Sequence, residues 1–313
     1  MKSTTNRYVA LDSTGKFVIN PVLKDVLPAW LTLPAIESTL PFALPAASPV
    51  VQSAVRFRQN NYNAGAPTCF IGKHLIFADS SDGTSAAAFT AQLFDDAGNR
   101  SLMCQPLHIR ALFGTAQLPG VLHEPLIIPA NSDLRMILAK LTGGAANIRP
   151  YIAGRLYYNP SPSFLAALVE RKRYVAPYWL TPDNNTVSLS ASATTSYRVK
   201  VGLGNFHAMT LVAISTGSFN VEITEITTRR TIMNGAISQT NGIGTALYPM
   251  RLPAPYTIPH GAVVRFTFTD TSVATNRIFC ALQGKALMCP LREISTIERE
   301  TAIPYDTIKE GAL

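Results

Sequence analysis

Hydrolytic and metal chemistry most often rests on histidine, and this chain holds five: His74, His108, His123, His207 and His260. None pairs with another at a ligand spacing, no HExxH or H-x-H run occurs, and none recurs at a fixed interval. A lone strand histidine is more often a packing or surface residue than a ligand. The carboxylates that stand together are Asp95-Asp96, and Asp79 with Asp82. Either pair could serve a calcium loop or acid–base chemistry, but turn carboxylates of β proteins usually form Asx-turns. Glu222 and Glu225 fall on opposite faces of an alternating strand, so they cannot act as a glycosidase pair. Gly202-Leu-Gly-Asn205 and Asn241-Gly-Ile-Gly244 suggest phosphate loops, yet no helix pattern or lysine follows them. Cys69, Cys104, Cys280 and Cys289 match no zinc or redox spacing and read as buried free thiols. The expectation is a non-enzyme, with no catalytic residue, metal ligand or cofactor.

What the sequence does contain is a repeat. Pro125-Leu-Ile-Ile-Pro129, Arg135, Ile148 and Gly154 return as Pro255-Tyr-Thr-Ile-Pro259, Arg265, Ile278 and Gly284, at a constant offset of 130 residues. Sliding residues 89–154 onto 219–284 without a gap gives 14 identities in 66 positions. Chance would give roughly four or five at average residue frequencies. Many of the matches are Gly and Pro, which set turns, so what repeats is a backbone plan. Arg135 and Arg265 read as a shared solvent-facing position inherited in the duplication; the functional alternative is a contact to an acidic partner or glycan.

The elements that carry this plan are short strands between turn signals such as Asp82-Gly83, Gly98-Asn99 and Gly143-Gly144. Alternation is strict in Phe219-Asn-Val-Glu-Ile-Thr-Glu225, with Phe219, Val221 and Ile223 on one face. Seven or eight such strands per copy predict an all-β chain: two tandem, duplicated, jelly-roll-like β-sandwiches. The boundaries read as an extended proline-rich arm over 1–49, a sandwich over 50–159, a linker with one short helix over 160–183, the second sandwich over 184–289, and a tail over 290–313. The helix is placed on 163–173, with Ser163 as its cap and Arg171-Lys-Arg173 in its last turn.

Residues 21–49 hold six prolines, four of them in Leu-Pro pairs. That density argues for an extended path. Leu27, Trp30, Leu31, Leu33, Ile36, Leu40, Phe42 and Leu44 make it apolar. Such a ribbon must cover something: its own sandwich, or a neighbouring subunit. Tyr174, Tyr178 and Trp179 give the linker the same docking character. Together these eleven residues are the candidate assembly surface.

Charged residues are only 15% of the chain and hydrophobic ones 47%, so partners are expected over part of the surface. The net charge of +8 is scattered, with one dense cluster at Glu170-Arg-Lys-Arg173; this does not make a nucleic-acid footprint. No stretch is long and apolar enough to span a membrane, and the N-terminal residues lack the apolar run of a secretory signal.

In its Thr/Ser/Asn-rich short strands, its P-x-x-I-P turn leading into a strand and its proline-rich N-terminal segment, the chain resembles virion structural proteins of tailed bacteriophages. These include minor capsid, decoration and collar β-sandwich proteins. It also looks like the double jelly-roll capsid proteins of tailless lipid-containing viruses, whose paired sandwiches trimerise. The resemblance implies a virion protein made in the host cytoplasm, a homo-oligomer of three or more copies, and other virion proteins such as the major capsid protein as partners. A glycan- or receptor-binding module, with Asn60-Asn-Tyr-Asn63 as its loop, is the second reading. A hydrolase with its site between the domains is the third.

Overall fold

In the computed structural model the described residues are 68–79, 89–96, 98–115, 117–141, 146–158, 160–182, 187–233 and 235–288, together with the strand backbones at 9–11, 17–19, 26–32, 42–44 and 52–58. Val9–Leu11 (β1) and Phe17–Ile19 (β2) pair as a two-stranded ribbon. The first sandwich uses Val26–Thr32 (β3), Phe42–Leu44 (β4), Gln52–Arg58 (β5), Thr68–Asp79 (β6), Phe89–Asp95 (β7), Arg100–Ser101 (β8), Leu107–His108 (β9), the helical turn Ile109–Leu112 (α1), Gly120–Pro129 (β10), Asp133–Lys140 (β11) and Ala146–Tyr158 (β12). Pro162–Tyr174 (α2) links it to the second. There follow Val175–Leu180 (β13), Val187–Leu189 (β14), Thr194–Lys200 (β15), Asn205–Ser215 (β16), Phe219–Glu225 (β17), Arg230–Thr231 (β18), Ile237–Ser238 (β19), the turn Gln239–Gly242 (α3), Met250–Ile258 (β20), Val263–Asp270 (β21) and Asn276–Leu287 (β22).

Each sandwich is two antiparallel sheets with one strand order. In the first, β10-β6-β12-β3 lies opposite β5-β11-β7-β8, with β4 beside β12 and β9 beside β7. In the second, β20-β16-β22-β13 lies opposite β21 flanked by β15 and β17, with β14 beside β22 and β18 and β19 beside β17. This interleaved order, in which sequential strands alternate between sheets, is the jelly roll, and the chain is a double jelly roll. Alternation builds each core: β17 and β21 bury every second residue, and Phe206, Phe219, Phe266 and Phe268 fill the centre of the second sandwich at under 2% exposure.

From β7 onward the two copies keep the 130-residue offset, down to α1 and α3. Both carry a bulge where the central strands meet, and a glycine sits at it. A Cβ on Gly154 would lie 2.0 Å from the Ile71 carbonyl oxygen, and one on Gly284 1.8 Å from that of His207. The conserved spacing of these two glycines is therefore steric.

Three expectations change. The arm over 1–49 is not separate from the sandwich: β3 and β4 pair with β12 as the outer strand of the first sheet. Register makes β3 the counterpart of β13, since Trp30 lies opposite Ala153 and Trp179 opposite Gln283, the same position 130 residues on. Val26-Leu-Pro-Ala-Trp-Leu-Thr32 and Val175-Ala-Pro-Tyr-Trp-Leu-Thr181 share five of seven residues. Proline is tolerated there because both are edge strands of their sheets. Second, residues 107–112, where Leu107, Ile109 and Ala111 alternate with His108 and Arg110 as a strand would, are two strand residues and a helical turn capped by His108 Nδ1, which accepts from Arg110 N at 3.2 Å. Third, α2 is capped by Ser161 rather than Ser163. Its hydroxyl accepts from Phe164 N at 3.3 Å, and Pro162 occupies the first helical position.

Candidate assembly interface

The junction between the two jelly rolls is the most developed interface in the chain. Strand β13 buries all six of its residues. Trp179 forms a parallel bridge to Met103 of the first sandwich. Its N–H donates to the Leu102 carbonyl (3.0 Å), and its carbonyl accepts from Cys104 N (3.2 Å). Gln105 N donates to Thr181 Oγ1 at 2.8 Å, and Cys104 Sγ lies 2.8 Å from Tyr178 OH. Trp179, Val212, Phe279 and Ala281 of the second sandwich pack into the core cluster of the first, with Met103, Leu107, Leu112 and Phe113. The outward face of one sheet of the second sandwich thus closes over the β8–β10 side of the first.

A buried polar chain fixes the register of this apolar seam. His123 Nε2 and Thr210 Oγ1 are 3.0 Å apart, Thr210 donates to Gln283 Oε1 at 3.1 Å, and Gln283 Nε2 reaches the Ala111 carbonyl at 3.5 Å. The His108 ring packs on Phe279 at 5.1 Å, and Ala246 N donates to the Arg110 carbonyl at 3.3 Å. Burial, then the Arg110 charge, lowers the pKa of His108 to about 4, so its ring is neutral and Nδ1 is free to cap α1. Burial also lowers the pKa of His123.

Ion pairs clamp the linker helix beside the seam. Arg171 holds the buried Glu124 with two bonds, from Nε to Oε1 at 2.7 Å and from Nη2 to Oε2 at 3.0 Å. Asp95, also buried, takes Arg100 Nε at 3.0 Å and Lys172 Nζ at 2.9 Å. Arg100 reaches on to the carbonyls of Lys172 and Arg173 and to Met288 Sδ. Leu168 seals the helix onto Cys69, Ile71 and Ile127, and burial pushes the Cys69 thiol up to about 12. Asp95 was expected to serve an Asx-turn and instead anchors this clamp.

The sequence-predicted interface residues divide accordingly. Tyr178 and Trp179 are each 3% exposed: they already bury their surface inside this chain, so the expectation that they face another subunit is corrected. Tyr174 is half-buried against Val175 and Leu287. Leu27, Trp30, Leu31, Phe42 and Leu44 lie in β3 and β4, whose side chains are outside the described residues; Leu33, Ile36 and Leu40 lie outside them altogether, as does 60–63. Arg135 is half-buried, bonded to Asp96 at 2.9 Å and stacked over Phe94 at 4.6 Å. In the second copy Ile226 replaces Asp96, and Arg265 Nε has no hydrogen-bond partner among the described residues. Pro129 and Pro259 lead the turns before β11 and β21, and Pro125 and Pro255 lie within β10 and β20. Cys69 and Cys280 are buried and Cys104 is half-buried.

Applying the repeat to the seam shows what sequence reading missed. In the first sandwich Met103, Leu107, Ile109, Leu112, Phe113 and Leu122 are each at most 5% exposed because the second sandwich covers them. Their counterparts Met233, Ile237, Gln239, Gly242, Ile243 and Leu252 are only partly buried, Tyr248 is 68% exposed, and β20 is exposed along most of its length. On the opposite side, Thr210, Val212, Ala281 and Gln283 are covered, while their counterparts His74, Ile76, Tyr151 and Ala153 are only half-buried. Among the described residues, one chain therefore carries two less covered faces, each the counterpart of one half of the seam it has closed internally.

Among the described residues no group of three or more His, Cys, Asp or Glu could hold a metal, and no helix is long and apolar enough to cross a membrane. No protein-family model and no curated protein matches the sequence. Among solved structures, a chain from the atomic structure of Sulfolobus Turreted Icosahedral Virus is 10% identical, over 89% of this chain and 97% of that one, with a TM-score of 0.38. A peptide-N(4)-(N-acetyl-beta-D-glucosaminyl) asparagine amidase is 7% identical over 84% and 100%, with a TM-score of 0.32. A chain of an archaeal virus described by its triple jelly roll fold and turret assembly is 11% identical over 85% and 61%, at 0.23. At these TM-scores the likenesses carry no functional argument, and the fold assignment rests on strand order and register.

Proposed function

We propose that this chain is a structural protein of a virus particle that works by assembling with copies of itself. The observation that carries the reading is the pair of open, complementary faces. A heterologous interface that repeats head to tail closes into a ring when its rotation permits. The chain has made one such step internally, and it exposes the two halves of the next. Three copies joined this way give a ring of six jelly rolls, matching the double jelly-roll capsid proteins that the sequence resembles. This favours a shell-forming unit over a minor, decoration or collar protein of a tailed phage. The main partner is then a second copy of the chain, with other virion proteins contacting the outside of the ring.

A hydrolase between the domains has less support. The polar groups in the seam, His123, Thr210 and Gln283, bond one another, and the cleft lined by Asp95, Arg100, Asp133 and Lys172 is occupied by its own ion pairs. Electron microscopy of the concentrated protein tests the proposal. Six-lobed rings that tile into sheets are expected; two-lobed single particles at every concentration would refute it.

A further inference from the structure

The two halves of the internal seam differ in bulk. On one side α1 of the first sandwich packs against β16 and β22 of the second. Its Ile109, Leu112 and Phe113 are large, and they share an apolar cluster with the smaller Val212 and Ala281. At the counterpart positions the bulk changes sides. Ile109, Leu112 and Phe113 become Gln239, Gly242 and Ile243, so that side shrinks. Val212 and Ala281 become Ile76 and Tyr151, so the other side grows. Register fixes this second equivalence: Ile76 lies opposite Tyr151 as Val212 lies opposite Ala281, and Ile76 and Val212 each bridge a glycine, Gly114 and Gly244. Tyr151, Ile76, Gly242 and Ile243 are all only partly buried. A leucine lost from one face and a tyrosine gained on the other keep the filling that a close-packed contact needs. Within one chain Gly242 faces Ile237 of its own sandwich; a second copy placed by the repeat brings Tyr151 to it.

The polar end of the seam changes in the same sense. Internally Thr210 and His123 are bonded. Arg251 pairs with Thr210 on the next strand, and burial, then the Arg251 charge, lowers the pKa of His123. The counterparts of Thr210 and Arg251 are His74 and Val121, paired in the same way, and the counterpart of His123 is Pro253. Val121 is 45% exposed and Pro253 is exposed too. The internal register, applied between copies, covers the one with the other.

We propose that Tyr151 anchors the junction between copies, seated on Gly242 and Ile243 of a second copy, with Ile76 beside it and Val121 against Pro253 of that copy. This rests on the ring reading and names the contact that carries it. A tyrosine ring enclosed at the centre of an interface is the kind of contact that dominates binding. The reversed bulk also sets the order of the blocks. The α1 face of a first sandwich is already filled by Leu112 and Phe113 and would collide with Tyr151, so only the face of a second sandwich accepts it.

The dissociation constant between copies, from light scattering on dilution, tests the contact. Tyr151→Ala removes the anchor and should raise the constant roughly thirtyfold or more. Gly242→Leu restores the bulk of Leu112, with Ile237 Cδ1 at the end of a flexible side chain free to move aside; it collides with Tyr151 and should weaken assembly comparably. The two substitutions in one chain rebuild the internal pair between copies and should recover much of the loss, which a folding defect or two unrelated contacts would not allow. Val121→Arg, at an exposed position that leaves the core intact, should raise the constant roughly fivefold or more. If the wild type is a multi-chain particle but Tyr151→Ala leaves the constant unchanged, or the double variant stays as weak as the single ones, this contact is wrong and the ring stands on another. If the wild type is a single chain at every concentration, the ring reading and this contact fall together.

Discussion

Replacing Arg171 with Met should separate the linker helix from the first jelly roll at a cost that the geometry fixes. The guanidinium meets Glu124 in a two-bond fork of 2.7 and 3.0 Å, with side-chain exposures of 12% and 3%. Methionine keeps most of the aliphatic packing and removes both bonds, leaving a carboxylate with almost no access to water. Breaking a buried pair from one side costs about 3–5 kcal/mol, a large share of the about 5–15 kcal/mol by which domains are stable. Removing both charges with Glu124→Leu and Arg171→Met should cost far less, since buried pairs roughly break even against apolar residues of similar volume. Urea unfolding at one fixed protomer concentration measures this, because oligomerisation would otherwise shift the midpoint. The double-mutant cycle should return a coupling of at least about 2 kcal/mol. An Arg171→Met loss below about 1 kcal/mol would show that Glu124 is solvated or partnered elsewhere, and the clamp would not hold the helix.

Further outcomes follow from the same geometry. Gly284→Ala places a methyl 1.8 Å from the His207 carbonyl oxygen and should cost more than about 4 kcal/mol, read as a collapse of soluble yield or of the thermal midpoint; a midpoint within a few degrees of wild type would show that the bulge can open. Removing residues 1–49 takes away β3 and β4, so the truncated chain should lose its cooperative unfolding transition rather than survive as a well-folded monomer. His108 has a folded pKa of about 4, below its unfolded value. Its contribution is present above about pH 6.5 and is lost as pH falls toward 4, by about 2 kcal/mol between pH 7 and pH 5; His108→Gln should flatten that part of the stability–pH curve, and an unchanged slope would mean the ring titrates freely. Thr210→Val removes the hydroxyl between His123 and Gln283 and should cost about 1–3 kcal/mol, checked by denaturation.

Most of the plan of strands was legible in the sequence because turn residues and alternation are local signals. The stretch from Phe89 to Gly154 recurs at one offset, and β7, β11, β17 and β21 fall close to where that pattern places them. Strand β3 was hidden for two reasons. It matches β13 at an offset of 149 rather than 130, because the loops between them differ in length, and its prolines signal an arm unless one knows that it is an edge strand. Leu107-His-Ile-Arg-Ala-Leu112 alternates like a strand, yet it folds as two strand residues and a helical turn with His108 as its cap, and the counterpart Gln239–Gly242 makes the same turn without a side-chain cap bond. The interface was misplaced because an aromatic such as Trp179 looks the same in sequence whether another subunit or its own duplicate covers it. The clamp was invisible because Asp95 and Lys172 lie far apart in the chain and meet only through folding. What could have pointed to it is the asymmetry of the repeat: Leu107, Ile109, Leu112 and Phe113 face Ile237, Gln239, Gly242 and Ile243 in the other copy, an apolar face in one and a mixed one in the other.

With one junction closed internally and its two counterpart faces uncovered, the chain is proposed to join copies of itself into a ring. Native mass spectrometry of the full-length protein over a range of concentrations tests it most directly. Three times the mass of one chain, as a single dominant species, is the expected result. A single-chain mass that persists up to the highest concentration would contradict it.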